Sequence, residues 1–387
     1  MLISYKMFLA NVIFLSLVSN VFGAIRWSRQ HLWDVPDYRI KVYCDRKSLV
    51  LDRALQTIVA NTCVRFKKLN KRLEVGNGIN IIKNNSLCYS DRIGAHYKDA
   101  PNIIWASDEC LNDYFKILGV LLNALGLNYE HSRNDRDSYV KVFPENAIEE
   151  YRDFVFKTDK ELGYNTTTFG TSYDYGSILH GHPRYYSQTR NKTITLKGLF
   201  KVWNTESIGY PKKESFNEFR LINYLYCNQT CRHQPLSEPC KFSGYQDPNA
   251  CWKCKCPYFT KGTYCGEKQH NRYECHPTAL HAKHNVQKEY YTHHKECFIY
   301  IRADYGQKVK LTITYLYIYW HYDNTPCARG DYRLEVMYKK DKSIMGVCFC
   351  EYINYGLEII SEDFEVFLVY YGSSFRDYVY FNYMAIS

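Results

Sequence analysis

The sequence predicts a domain of mixed helices and strands, then a small disulfide-rich module, then a β-sandwich. Three observations predict this. Cysteines are sparse up to residue 227 and dense just after it: six fall within 228–266 and five more follow. Apolar residues recur at helical spacing in two segments of the first part, beside a short apolar strand candidate. In the last part, β-branched and aromatic residues alternate along five segments with no convincing helix. At 387 residues the chain has room for two or three domains with at least one sizeable core.

Met1 to Gly23 reads as a signal peptide, with Lys6 near its start, an apolar run from Met7 to Val21, and small residues before a cut at Ala24. Ser19 and Asn20 end that run too early for a membrane span, and no other stretch of about 18 apolar residues occurs. A signal anchor is the alternative. The 16 cysteines, an even number, then read as a disulfide framework in a secreted, extracellular chain. Sequons at Asn84, Asn165, Asn191 and Asn228 fit a glycosylated surface. The formal charge of +10 is scattered along the chain, which argues against nucleic acid as a partner. Tyrosine is abundant, at 38 residues. Biased codon usage accounts for this more simply than a sticky aromatic surface does.

Asp52 to Phe66 has the spacing of an amphipathic helix running into a strand, and Gly78 to Ile82 reads as a short strand. Asp113 to Leu125 reads as a second helix, capped by Asn112 or Asp113 and stopped by Gly126. In the last part the strand candidates are Cys297–Ala303, Lys308–Tyr317, Tyr332–Tyr338, Phe364–Tyr371 and Tyr378–Met384.

The segment Gly119 to Arg133 (GVLLNALGLNYEHSR) carries most of the functional information. Its frame is that of a zinc-protease helix of the form H-E-x-x-H-x-x-G-x-x-H. With Gly126 in register, the three histidine positions hold Gly119, Asn123 and Tyr129, and the glutamate position holds Val120. On a helix, positions 119 and 123 face one way, and a turn at Gly126 brings residue 129 back toward them.

Several further motifs occur in order. They are Asn61–Phe66 (NTCVRF), Cys88-Tyr89-Ser90 with Cys110, Glu130–Val140 (EHSRNDRDSYV), Tyr173–Gly181 (YDYGSILHG) and Leu225-Tyr226-Cys227. Together they resemble the astacin family of zinc metalloendopeptidases. After them, Cys231, Cys240, Cys251, Cys254, Cys256 and Cys265, with Ser243-Gly244-Tyr245 and Asp247-Pro248, resemble an EGF-like module. Cys275 onward, with Thr325-Pro326-Cys327 and Asp331-Tyr332, resembles a CUB domain. The resemblance implies an α+β zincin-like (astacin-type) domain over 24–227, an EGF-like module over 228–266 and a β-sandwich CUB domain over 267–387.

It also implies disulfides Cys63–Cys227, Cys88–Cys110, Cys231–Cys251, Cys240–Cys254, Cys256–Cys265 and Cys275–Cys297. Cys327 is left to pair with Cys348 or Cys350, and Cys44 has no family partner. For activity, the resemblance implies zinc held by three histidines, with a glutamate as general base. This chain departs from that set. Gly119 offers no donor, Asn123 only a neutral amide and Tyr129 only a phenol, and Val120 cannot accept a proton. The Met-turn methionine position holds Leu179 and the family tyrosine position holds Gly181. Between Ala24 and His31 no F-x-G-D-like zinc-capping motif stands. Glu130, the family's partner for a trimmed N-terminus, is retained.

The resulting expectation is a secreted astacin-like homologue that is catalytically inactive, needs no cofactor and binds an extracellular peptide or protein partner through a metal-free cleft. That cleft would have an apolar floor near Val120, Leu121 and Leu179. One alternative is an adhesion or scaffold protein acting through its EGF and CUB modules. The other is an active zinc metalloendopeptidase with non-standard ligands. For His131, His180 and His182 structural roles are expected ahead of a displaced metal site. His276, His281, His284, His293 and His294 read as an exposed loop, and a calcium site at Asp331 lacks a clear set of acidic partners.

Overall fold

The computed structural model describes residues 24–35, 39–96, 100–198, 206–271, 275, 277–319, 327 and 329–387. The predicted signal segment, His276, Thr325 and Pro326 lie outside these residues.

The first domain is built on a five-stranded sheet. Its strands are β1 (Ile40–Cys44), β2 (Phe66–Leu69), β3 (Ile79–Lys83), β4 (Cys88–Ser90) and β5 (Asn102–Ala106), in the spatial order β2-β1-β3-β5-β4. Only β4, at the edge, runs antiparallel to its neighbour. Helices α1 (Leu49–Asn61) and α2 (Tyr114–Ala124) share a core with the sheet through Leu55, Ile58, Ile81, Ile104, Leu118 and Leu121. The first helix begins three residues earlier than the apolar spacing suggested, because the Ser48 hydroxyl accepts from the Leu51 amide at 3.0 Å and caps it there. It also stops at Asn61, and strand pairing resumes only at Phe66. Strands β1 and β5 were not anticipated: each is only five residues long, too short for its alternation to stand out from the surrounding sequence. A smaller core under the sheet gathers Val140, Phe156, Tyr173, Ile194 and Ile208. The domain closes with α3 (Phe216–Ile222) and Cys227.

Seven disulfides form: Cys63–Cys227, Cys88–Cys110, Cys231–Cys251, Cys240–Cys254, Cys256–Cys265, Cys275–Cys297 and Cys327–Cys350. Of the two partners left open for Cys327, Cys350 is the one used. Cys348 lies inside a strand, opposite the buried Glu335, and stays a free, buried thiol. Cys44 is also free and only partly buried.

Residues 228–266 form a small module of short β-pairs held by three of these disulfides. The last part is a two-sheet sandwich. One sheet orders β6 (Ala279–His281), β8 (Glu296–Arg302), β13 (Glu365–Tyr371), β10 (Arg333–Met337) and β11 (Val347–Phe349). The other orders β7 (Gln287–Thr292), β14 (Tyr378–Ile386), β9 (Lys308–Tyr317) and β12 (Leu357–Ile360). Alternate residues such as Ile299, Ile301, Leu311, Ile313, Leu368 and Phe381 fill the space between them.

The outer faces of the two sheets differ. On the first sheet, Phe298, Phe367 and Val369 are covered by Phe242, Tyr258 and Phe259 of the disulfide module. The second sheet has tyrosines on its outer face, several of them well exposed.

The sandwich also packs on the first domain. Asp341 accepts from the Ser172 amide at 2.9 Å and from the Arg220 guanidinium at 3.1 Å, and the Met345 amide donates to Asp174 at 3.0 Å. Lys212 reaches Asp331 at 2.6 Å, which commits the calcium candidate to an interdomain ion pair. Behind this contact Arg329 and Arg333 flank the buried Glu335 at 2.9 and 2.8 Å. Burial would raise that carboxyl, but the two guanidiniums outweigh it and hold it down to about 2. The three parts are therefore packed together rather than strung on linkers.

Candidate functional site

Helix α2 positions the segment that the sequence singled out. Asp113 caps it, accepting from the Phe115 and Lys116 amides at 2.9 and 3.1 Å. At the other end Gly126 adopts φ +107°. Its amide donates to Asn123 at 2.9 Å and the Leu127 amide donates to Leu122 at 3.0 Å, the paired bonds of a Schellman stop. Only glycine takes that backbone conformation without strain, which explains why this turn is present. The Trp33 indole donates to the Ala124 carbonyl at 2.7 Å, and the Tyr226 hydroxyl to the Leu125 carbonyl at 2.9 Å, so the helix end is sealed.

Residues 119, 123 and 129 each have identifiable neighbours in the fold. A Cβ placed on Gly119 would meet Leu179 Cδ2 at 3.4 Å, so an apolar side chain borders that position. The Asn123 amide donates to the Leu127 carbonyl at 2.9 Å and so ties the turn together. The Tyr129 ring packs against His131 and Tyr185, with centroids 5.3 and 6.1 Å away. Burial raises its phenol further from ionisation. Val120 is buried in the apolar core. Gly181 has no spare room: a Cβ there would lie 2.9 Å from Ile194 and 3.0 Å from both His131 and Tyr185.

Two of the site's histidines, His131 and His180, are buried and hydrogen-bonded. His131 Nδ1 accepts from the Gly181 amide at 2.9 Å. His180 is held on both nitrogens, at 2.7 Å by the Tyr173 hydroxyl and at 2.7 Å by the Gly181 carbonyl. Its Nδ1 must donate to that carbonyl, so Nε2 accepts from Tyr173. Burial holds His180 down to about 4, and burial with the neighbouring His180 holds His131 well below its ordinary value. Both rings are neutral at pH 7. His182 Nδ1 accepts from the Arg184 amide at 3.2 Å, and its ring lies beside Tyr210.

Zinc, which the resemblance implies, therefore does not fit these residues. The three positions present a hydrogen, a neutral amide and a buried phenol, where zinc needs anionic or imidazole donors. Among the described residues no group of three or more His, Cys, Asp and Glu side chains is arranged to hold a metal. Of the second histidine cluster, His281 faces Asp304 and His284 faces Gln307, both near the surface, and His276 lies outside the described residues.

Val120, Leu121 and Leu179, near which an apolar floor is expected, are all buried in the main core. Tyr129 belongs to an aromatic cluster in which Tyr129, His131, Tyr185 and Tyr186 form a continuous set of ring contacts.

Two buried carboxylates organise Tyr173–Gly181. Glu130 accepts from Arg133 at 2.9 Å and from the Asp174 amide at 2.8 Å, which identifies the partner that the sequence left open. Burial pushes its carboxyl up to about 7 against the opposing pull of Arg133. Glu218 accepts from the Ile178 amide at 2.6 Å and the Ser177 hydroxyl at 3.1 Å. The sequence reading missed Glu218, although Ser215-Phe216-Asn217-Glu218 has the form of a capping box, and both of its bonds are present. Asn165, Asn191 and Asn228 are exposed, and Asn84 is half-buried in a turn. Among the described residues no helix is long and apolar enough to cross a membrane.

Comparison with known proteins identifies the family of the first domain. Zinc metalloproteinase nas-34 of Caenorhabditis elegans is 29% identical over 349 residues, covering 88% of this chain and 53% of that protein. Zinc metalloproteinase dpy-31 of the same organism is 31% identical over 227 residues, covering 58% of this chain and 36% of that protein. The chain thus spans about half the length of the first of these relatives, and less of the second. A solved structure, high choriolytic enzyme 1, a hatching enzyme zinc-protease from Oryzias latipes (medaka fish), is 24% identical. It superposes with a TM-score of 0.44 over 53% of this chain and 99% of that one. The family model for the astacin peptidases matches residues 26–227, more than half of the chain, and the chain belongs to that family.

Proposed function

We propose that this chain is a secreted astacin-family homologue that does not hydrolyse peptides and instead binds an extracellular peptide or protein partner through a metal-free cleft. The observation that carries this reading is the buried Val120, which leaves no proton acceptor where the general base belongs, beside a Gly119 that offers no donor and an Asn123 that offers only a neutral amide oxygen. Residues 228–266 and 267–387 are read as EGF-like and CUB-like modules, on the three internal disulfides of the first and the two-sheet sandwich of the second. Secretion is supported by the apolar leader sequence and the seven disulfides. A second reading, a scaffold acting through its C-terminal modules, is favoured by the exposed tyrosines of the sandwich.

The test is metal analysis and peptidase assay on the purified full chain. Far less than one equivalent of zinc, with no chelator-sensitive cleavage of a quenched peptide, is the expected result. One equivalent of zinc together with cleavage that a chelator abolishes overturns the proposal.

A further inference from the structure

The outer face of the second sandwich sheet carries an array of tyrosines that the first domain's chemistry does not use. Strand register places them. Tyr290 of β7 stands opposite Tyr380 of β14, which stands opposite Tyr315 of β9; in the next row Tyr378 stands opposite Tyr317. The ring centroids lie 5.5 Å apart for Tyr290–Tyr380, 6.4 Å for Tyr315–Tyr380 and 5.9 Å for Tyr317–Tyr378. Tyr290, Tyr315 and Tyr380 are 59%, 51% and 41% exposed.

A backbone device turns two of these rings outward. Ile313 faces the core opposite Phe381, and strict alternation would send Tyr315 and Tyr317 inward after it. A β-bulge between Ile313 and Tyr315 adds one residue, so that Leu316 takes the core position and both tyrosines face solvent. Extra residues of this kind re-aim side chains at a cost in ladder bonds. The opposite sheet makes a useful contrast. Its outer face is built of Phe298, Phe367 and Val369 and is covered. Among the described residues nothing comparable covers the tyrosine face, and its exposed rings carry hydroxyls for a wet partner.

The charge beside the array is positive. One step along the strands the same face presents Lys288 and Asn382, then Lys310 and, at its end, Lys308. Only Lys310 meets a carboxylate there, Glu358 at 2.6 Å, while Lys288 and Lys308 are exposed. Tyr290 and Tyr380 lie 17° from parallel and Tyr317 and Tyr378 27°, while Tyr315 stands edge-on to Tyr380 at 89°; exposed rings so grouped suit the C–H faces of sugar rings. Ammonium groups beside them suit sulfate or carboxylate substituents. We propose that this face binds an anionic polysaccharide, the rings stacking on the sugars and Lys288 and Lys308 pairing with the acidic groups. The proposal is independent of the metal position in the first domain.

The test is binding of a heparin-derived oligosaccharide, and of its desulfated counterpart, to the full chain. The sulfated chain is expected to bind at least about tenfold more tightly than the desulfated one. Replacing Tyr290→Ala with Tyr380→Ala should weaken it at least about tenfold, and Lys288→Gln about threefold. Trp252→Ala, an equally exposed aromatic in the small module, should leave it unchanged. Tyr290→Phe with Tyr380→Phe keeps the rings and should retain most of the affinity, which separates loss of stacking from loss of fold. Absence of oligosaccharide binding overturns the proposal. So does binding that survives loss of both rings, which would mean charge alone, and so does an acidic peptide that occupies this face where the oligosaccharide does not.

Discussion

Removing the Asp341 carboxylate should loosen the sandwich from the first domain. The carboxylate is 10% exposed and the Arg220 side chain facing it 13%. It accepts from the Ser172 amide at 2.9 Å, from Arg220 at 3.1 Å and from the Ser343 amide at 3.0 Å. Asp341→Ala leaves Arg220 with Ser343 and Tyr224 hydroxyls as its remaining side-chain partners, both neutral. Breaking a buried ion pair from one side costs about 3–5 kcal/mol, and the residual exposure here argues for the lower end, about 3 kcal/mol. That is roughly a hundredfold in the docking equilibrium, since each 1.4 kcal/mol is about tenfold. Backbone hydrogen exchange reads it directly, because the Ser172 amide is protected by this contact and the Met345 amide by the contact next to it. Both amides should exchange about a hundredfold faster in Asp341→Ala and less so in Asp341→Asn. Unchanged exchange at both amides would refute the idea that this loop braces the segment carrying Ser172 and Asp174.

Two further outcomes follow from the buried groups. The variant carrying Gly119→His, Asn123→His and Tyr129→His should bind zinc by titration yet hydrolyse a quenched peptide at least about a hundredfold more slowly than an active family member, because Val120 still supplies no base; turnover at the active member's rate would show the base to be elsewhere. The second concerns pH. Glu130, pushed up from 4.5 to about 7, takes its proton in the fold before it does in the unfolded chain, so its stability contribution falls as pH rises across that window. His180, held down from 6.5 to about 4, takes its proton later in the fold, so its contribution is lost as pH falls through nearly the same window. The two oppose each other. Glu130→Gln should therefore shift the balance toward the histidines, so that the urea midpoint at pH 7 rises relative to that at pH 5 compared with the parent chain, and an unchanged ratio would count against the raised Glu130 carboxyl.

Much of the site could be read from the chain because it depends on local signals. Gly126 marks the helix stop, Asp113 the start, and the spacing from Gly119 to Tyr129 follows from helix geometry and one tight turn. The strands β1 and β5 were not legible, since five residues of alternation are too few to stand out and their pairing depends on distant strands. The free Cys348 and the pairing of Cys327 with Cys350 were equally out of reach, because both depend on which strand position faces a buried arginine–carboxylate cluster.

The amino-acid sequence by itself determined which groups are absent. No fold can restore a ligand at Gly119 or a base at Val120, because chemistry that a side chain lacks cannot be supplied by its position. Tertiary structure alone decided what took their place. Leu179, Tyr185 and the Asn123–Leu127 bond come from segments up to about sixty residues apart, and only packing shows that they neighbour Gly119, Tyr129 and the helix end. It also decided that the sandwich rests against the first domain and that a single β-bulge turns two tyrosines to solvent, both consequences of register and burial rather than of local composition.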